Sequence, residues 1–253
     1  MPTDEGVMPL LSHLEELRGR LLKIVLAFIV LSVLAWFLYD RVLAVLVEPL
    51  KSLPEADQIF SRGRLVFIGA PTEALFLRLK VTAFVGFVLA LPVVLWQLWR
   101  FVTPGLYARE KTFAVAFVSV AMILFAAGAV FAHLLLPQAL RILYAFAGTE
   151  AVILPRASDY LSFVMLLVAA FGITFELPLV LISLSLVGVL PAETLQRGRK
   201  IAWIALLALA AIVTPTADPL TMLLLGIPLI LLYEVTVLVA KFIRRRRLAR
   251  GVG

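Results

Sequence analysis

The chain has 253 residues, 63% of them hydrophobic and 15% charged, with a mean hydropathy of +1.07. A soluble domain is about 45–50% apolar and about 25% charged, so lipid must be the solvent for much of this one. The absence of cysteine excludes disulfides, thiolate metal sites and cysteine nucleophiles, and the net charge of +7 gathers beside apolar blocks, notably at Arg244 to Arg247, a pattern of membrane orientation and anionic-lipid contact rather than nucleic-acid binding.

Acidic residues Asp4, Glu5, Glu15 and Glu16 precede the first apolar block, and no small-residue cleavage site follows it. The N-terminus therefore does not read as a secretory signal, and the first span is expected to be retained. In the lead-in segment, Leu10, Leu14, Leu17 and Leu21 share one helical face, and His13, Glu16 and Arg20 share another. One reading is an interfacial helix entering the membrane, with Glu15 placed to cap it after Ser12. The other is a carboxylate platform on the cytoplasmic side.

Apolar blocks then run over about 21–39, 75–101, 113–136, 160–190, 201–213 and 220–240, followed by a basic tail over 244–253. Blocks of roughly 18 or more apolar residues are spanning helices. Helices satisfy their own backbone in hydrocarbon, and the alternation of a membrane barrel is absent. The expected fold is all-α: one integral domain over 1–253 with six spans. With the N-terminus inside, the inside segments carry fifteen Lys and Arg and the outside segments eight, counting Arg78 and Lys80. Both termini are therefore expected in the cytoplasm.

The fifth block reaches only about 20 Å, short of roughly 30 Å of hydrocarbon. Thr214-Pro215-Thr216-Ala217-Asp218-Pro219 then turns the chain. The fourth block is too long to stand upright and contains Pro178, so it should tilt or kink. Long bent helices beside a short fifth and sixth predict a concave, cupped bundle. Breaks at Pro92, Pro178 and Pro228 follow no two-half pattern, so no internal repeat is expected.

Four places carry polar chemistry. Glu16 lies before the first span. Glu110 follows the second, after an aromatic stretch and the Pro104-Gly105 turn that precedes Tyr107. Its plainer role is a surface pair with Arg109 or Lys111, or a first-turn acid. Glu176 sits in Phe175-Glu176-Leu177-Pro178, near the middle of an apolar block, where a charge costs about 2.5–3.5 kcal/mol. It is either a neutral acid bonded to a neighbouring helix or a binding or proton-sensitive site facing a cavity or partner helix. Asp218, with Thr214, Thr216 and Thr221, surrounds the last turn. It is placed to cap the sixth helix, with Pro219 at the first position. Phosphate-binding loops, dinucleotide fingerprints, zinc-protease motifs and nucleophile elbows are all missing from the sequence, so neither an enzyme nor a cofactor or metal site is expected.

The order His13-Leu-Glu-Glu-Leu-Arg18, Pro104-Gly-Leu-Tyr-x-x-Glu-Lys111, Phe175-Glu-Leu-Pro178, Thr214-Pro-x-x-Asp-Pro219 and Tyr233-Glu234 resembles the TatC family from end to end. Gly19 departs from it, where the family more often has a basic residue. The resemblance implies a core subunit of the twin-arginine translocase in a prokaryotic cytoplasmic (inner) membrane. Such a subunit receives signal peptides with two consecutive arginines and exports folded proteins on the proton-motive force. Single-span partners of the TatA and TatB type and self-association are implied as well. On this reading Glu16 and Glu110 hold the arginine pair, beside Arg18, His13 and Tyr107. Glu176, with Thr214, Thr216 and Asp218, receives a polar group from a partner's helix. Pro49, Pro92, Pro104, Pro178 and Pro215 are structural. The rival reading is a proton-coupled small-solute transporter using Glu176. It explains the buried acid but not the carboxylates in two cytoplasmic segments.

Overall fold

A computed structural model describes residues 10–52, 69–102, 111–145, 156–187, 191–214 and 218–249, and these are almost wholly helical. Helix α1 covers Leu10–Val47 and ends in a 3-10 turn at Glu48–Ser52. Then follow α2 (Pro71–Val102), α3 (Lys111–Ala145), α4 (Ala157–Phe175), α5 (Leu177–Val187), α6 (Ala192–Arg197), α7 (Arg199–Val213) and α8 (Pro219–Ala249). Among the described residues, five helical stretches are long and apolar enough to cross a membrane: Glu15–Leu50, Pro71–Arg100, Val115–Leu143, Ala157–Ser185 and Pro219–Phe242. The short fifth block is α7, 15 residues and about 22 Å long. Side chains such as Phe37 (79% exposed) and Ile201 (75%) face outward along these helices, as lipid-facing positions do.

The helices outrun the apolar blocks. The lead-in segment is continuous with the first span, giving α1 38 residues. The sixth helix is 31 residues rather than short, because winding continues through the basic residues of the tail. Arginines at a helix C-terminus suit its dipole, so charge ends the apolar stretch without ending the helix.

Pro178 does break the fourth block. Lacking an N–H, it cannot bond four residues back. Glu176 N–H turns instead to Ile173 O at 3.0 Å, and Val180 N–H picks up Glu176 O at 3.0 Å as α5 begins. Pro92, Pro137 and Pro228 lie inside continuous helices, and Pro49 lies in the 3-10 turn. Pro104 and Pro215 fall outside the described residues.

The chain divides into two compact units: Met1–Arg41 with Arg78–Met122, and Val42–Leu77 with Ile123–Gly253. In the first, α1 and α2 run antiparallel. They approach closely at Gly86, where a Cβ would lie 2.6 Å from Ser32 Cα. No residue larger than glycine fits there without parting the helices.

In the second unit, α8 buries Thr221, Leu225, Leu229, Tyr233, Val237 and Ala240 on one stripe and exposes Leu220, Leu223, Ile227, Leu231, Val235 and Leu238 on the other. The helix is thus apolar all round, one side for protein and one for lipid. It packs on α5, α6 and α7. Helices α3 and α4 cross at Gly128, where a Cβ would meet Phe171 O at 2.7 Å and Gly172 Cα at 2.9 Å.

Outside the membrane-crossing middle, the second unit is tied by polar bonds. Tyr160 O–H donates to Leu46 O at 2.8 Å. Glu73 accepts from Gly69 N–H at 2.8 Å and approaches Arg156 at 3.8 Å.

Candidate functional site

The polar face expected at the start of α1 forms around Glu16. Four residues apart on one helix, Glu16 and Arg20 meet as neighbours. Glu16 Oε1 accepts from Arg20 Nε at 3.1 Å and closely from Nη2. Arg20 Nη1 reaches Gln97 Oε1 of α2 at 3.5 Å. Glu16 keeps 28% of its side-chain surface exposed and Arg20 13%, so the carboxylate remains reachable while its cation is tucked in. Glu15 and Arg18 are exposed and point elsewhere, as their positions on the helical wheel require. His13 lies within α1, with its side chain outside the description, and Tyr107 and Glu110 lie outside the described residues. Arg20 and Gln97 were not singled out as site residues by the sequence. The i, i+4 spacing signals the first, and only the pairing of α1 with α2 brings in the second.

A second polar place is the α4–α5 break. Glu176 is half-buried, and its Oε1 is buried with no hydrogen-bond partner among the described residues. The wall on its α4 side is aromatic: Phe131 packs on Phe171 and Phe175 at ring distances of 5.6 and 5.7 Å. The last turn, grouped with Glu176 on sequence, is built by local bonds instead. Asp218 caps α8, accepting from Thr221 N–H at 2.7 Å. The buried Thr214 hydroxyl donates to Ala211 O at 3.1 Å. Thr216 lies outside the described residues.

The Tyr233-Glu234 pair has a place of its own. Glu234 meets Arg199 at 2.8 Å and accepts from Trp203 Nε1 at 3.1 Å. Tyr233 O–H donates to Leu195 O at 2.8 Å, and Arg244 pairs with Glu193. These bonds fasten α6 and the start of α7 to α8. No cluster of His, Cys, Asp or Glu able to hold a metal occurs among the described residues.

Against known proteins, residues 12–228 match the family model described as "Sec-independent protein translocase protein (TatC)". The Sec-independent protein translocase protein TatC of Aquifex aeolicus is 40% identical over 244 residues, covering 95% of this chain and 98% of its own length. That of Frankia casuarinae is 37% identical over 253 residues, covering 98% of this chain and 69% of its own length. Two crystal structures of a twin-arginine translocase receptor, TatC, superpose with TM-scores of 0.78 and 0.79. They are 38% and 39% identical in sequence, covering 91% and 90% of this chain and 98% and 99% of theirs.

Proposed function

The chain belongs to the TatC family and is a multi-pass component of a Sec-independent protein translocase, and on that premise we propose that it is the receptor for twin-arginine signal peptides, read by carboxylates at the start of α1 and after α2. Both termini then lie in the cytoplasm, as the excess of Lys and Arg in the inside segments requires. Export of folded cargo draws on the proton-motive force and on single-span TatA- and TatB-type partners, and copies of the chain associate with one another.

The observation that carries this reading is the Glu16–Arg20 pair. Glu16 already holds a guanidinium through two nitrogens. An incoming arginine replaces Arg20 by a bond of the same kind, and Arg20 retains its contact to Gln97. Exchange of like for like gives little net free energy, so affinity must come from the second arginine. Glu110 supplies the second carboxylate. Guanidinium forks bind carboxylates bidentately and ammonium groups do not, which makes the pair selective for Arg-Arg over Lys-Lys.

Glu176 serves a different step. Its unpartnered Oε1 awaits a polar group from a single-span partner helix, a contact worth about 0.6–2 kcal/mol in lipid.

The test is binding of a labelled Arg-Arg signal peptide and its Lys-Lys counterpart to the purified protein in detergent. Preference for Arg-Arg is expected. Equal or absent binding by folded protein would sink the receptor reading for this subunit alone.

A further inference from the structure

Arg78 belongs to neither the Glu16 nor the Glu176 site. It sits in the second turn of α2, half-buried, with its guanidinium 4.4 Å above the Trp36 ring and 4.9 Å from that of Tyr39. Nη2 reaches Trp36 O at 3.4 Å. Nε is buried with no partner, and no carboxylate pairs with Arg78 among the described residues. The stacking fixes the guanidinium plane but supplies no anion. Arginine stays charged, so a cation is held at one end of the α1–α2 pair with part of its donor set unused.

Directly beside it, the two helices leave a cavity of about 370 Å³, within the range of about 300–1,000 Å³ of small-ligand sites. Its walls include Phe28, Ile29, Val33, Phe37, Leu79 and Ala83. The Thr82 hydroxyl on the wall is spent on Arg78 O and Leu79 O at 2.8 and 3.0 Å, which leaves the buried Ser32 Oγ, without a partner among the described residues, on a wall that is otherwise largely apolar. The highly exposed Phe37 leaves it open toward the surrounding hydrocarbon.

A fixed cation stacked on Trp36, itself a wall residue, and a largely apolar slot beside it describe a receptor for an amphiphile with a single anionic head. Tryptophan and tyrosine gather at the level of lipid headgroups, and guanidinium binds phosphate as a fork. We propose that this groove holds one phospholipid, with its phosphate on Arg78 and an acyl chain lying between α1 and α2. The lipid sits in the leaflet that contains the start of α2. It completes the wall of the first unit where the helices part beyond their contact at Ser32 and Gly86.

The experiment uses the full chain purified in detergent, with native mass spectrometry counting retained phosphatidylglycerol and a thermal melt following its addition. One phosphatidylglycerol per chain should persist at detergent levels that strip other lipid, and its addition should raise the melting temperature. Arg78→Gln should weaken retention about 10-fold or more, the loss of a charge-assisted contact. Ala83→Phe, which fills the slot and leaves Arg78 alone, should do the same. Both variants should bind the Arg-Arg peptide as the wild type does. If Arg78→Gln does not fold, Ala83→Phe decides. Unchanged retention by Ala83→Phe overturns the proposal, as does equal protection by inorganic phosphate, which would make Arg78 a bare anion site. Equal protection by uncharged diacylglycerol overturns the role of Arg78. A photocrosslinker at Phe37 that captures a polypeptide instead of lipid would assign the groove to a partner helix and overturn it too.

Discussion

Glu16 stands near the start of α1 with its carboxylate already occupied by Arg20. Glu176 stands at the α4–α5 break with Oε1 buried and unpartnered. The first acid is already paired in the isolated chain, so on the proposed reading it binds by exchange and its selectivity rests on what a second carboxylate adds. The second carries a standing cost, since a buried polar atom without a partner is worth about 1–3 kcal/mol of lost stability. On the proposed reading, an acid whose Oε1 lacks a partner among the described residues and meets one on assembly couples association to the relief of that cost.

Replacing Glu16 and Glu110 together by Gln should lower Arg-Arg peptide affinity about 10- to 100-fold, most of it through Glu110, since a charged hydrogen bond contributes about 1.5–3 kcal/mol and Glu16 only exchanges one guanidinium for another. An unchanged titration by fluorescence anisotropy would remove the start of α1 from recognition. Glu176→Leu should lower site-specific crosslinking to a single-span partner about 3- to 30-fold and, in the isolated chain, raise stability by about 1 kcal/mol. A variant that loses both stability and partner would mean that Glu176 is structural. Arg20→Gln should act opposite to Glu16→Gln and tighten peptide binding about 2- to 5-fold, because it removes a competitor worth up to about 1 kcal/mol. Weaker binding would instead make Arg20 the group that holds Glu16 in place. The smallest change is expected for Arg244→Ala. Its pair with Glu193 is about half exposed on both sides, so the loss should stay within about 1 kcal/mol in a denaturant or thermal melt.

Much of the fold is legible in the sequence. Long apolar blocks fixed the helices, because hydrocarbon leaves the backbone no other partner. Their ends were not legible. Hydropathy reports contact with lipid, while a helix ends where its hydrogen bonds end, so α1 begins at Leu10 and α8 runs to Ala249. Prolines show the same limit. Pro178 opens a break and Pro92, Pro137 and Pro228 do not. Each removes one donor, and whether the helix survives depends on neighbours that sequence does not show.

Among site residues, Glu16 with Arg20 followed from spacing, whereas Gln97 required the antiparallel pairing of α1 and α2. Arg78 entered the sequence reading only as a charge to be counted. Its aromatic bed of Trp36 and Tyr39 lies some forty residues away along the chain. The grouping of Glu176 with Thr214 and Asp218 joined residues that share polarity, but Asp218 and Thr214 make local bonds.

The bonds around Tyr233 and Glu234 bear on the order in which the ribosome delivers the chain. Leu195, Glu193 and Arg199 are made early, while Tyr233, Glu234 and Arg244 follow some 35 to 51 residues later. Until those arrive, the Leu195 carbonyl lacks its phenol, and Arg199 and Glu193 lack their counter-charges. Helix α6 and the start of α7 therefore lack these polar ties during synthesis, although α7 already has α4 to pack on. Helix α8 supplies that fastening, and a chain halted before Tyr233 would leave it open.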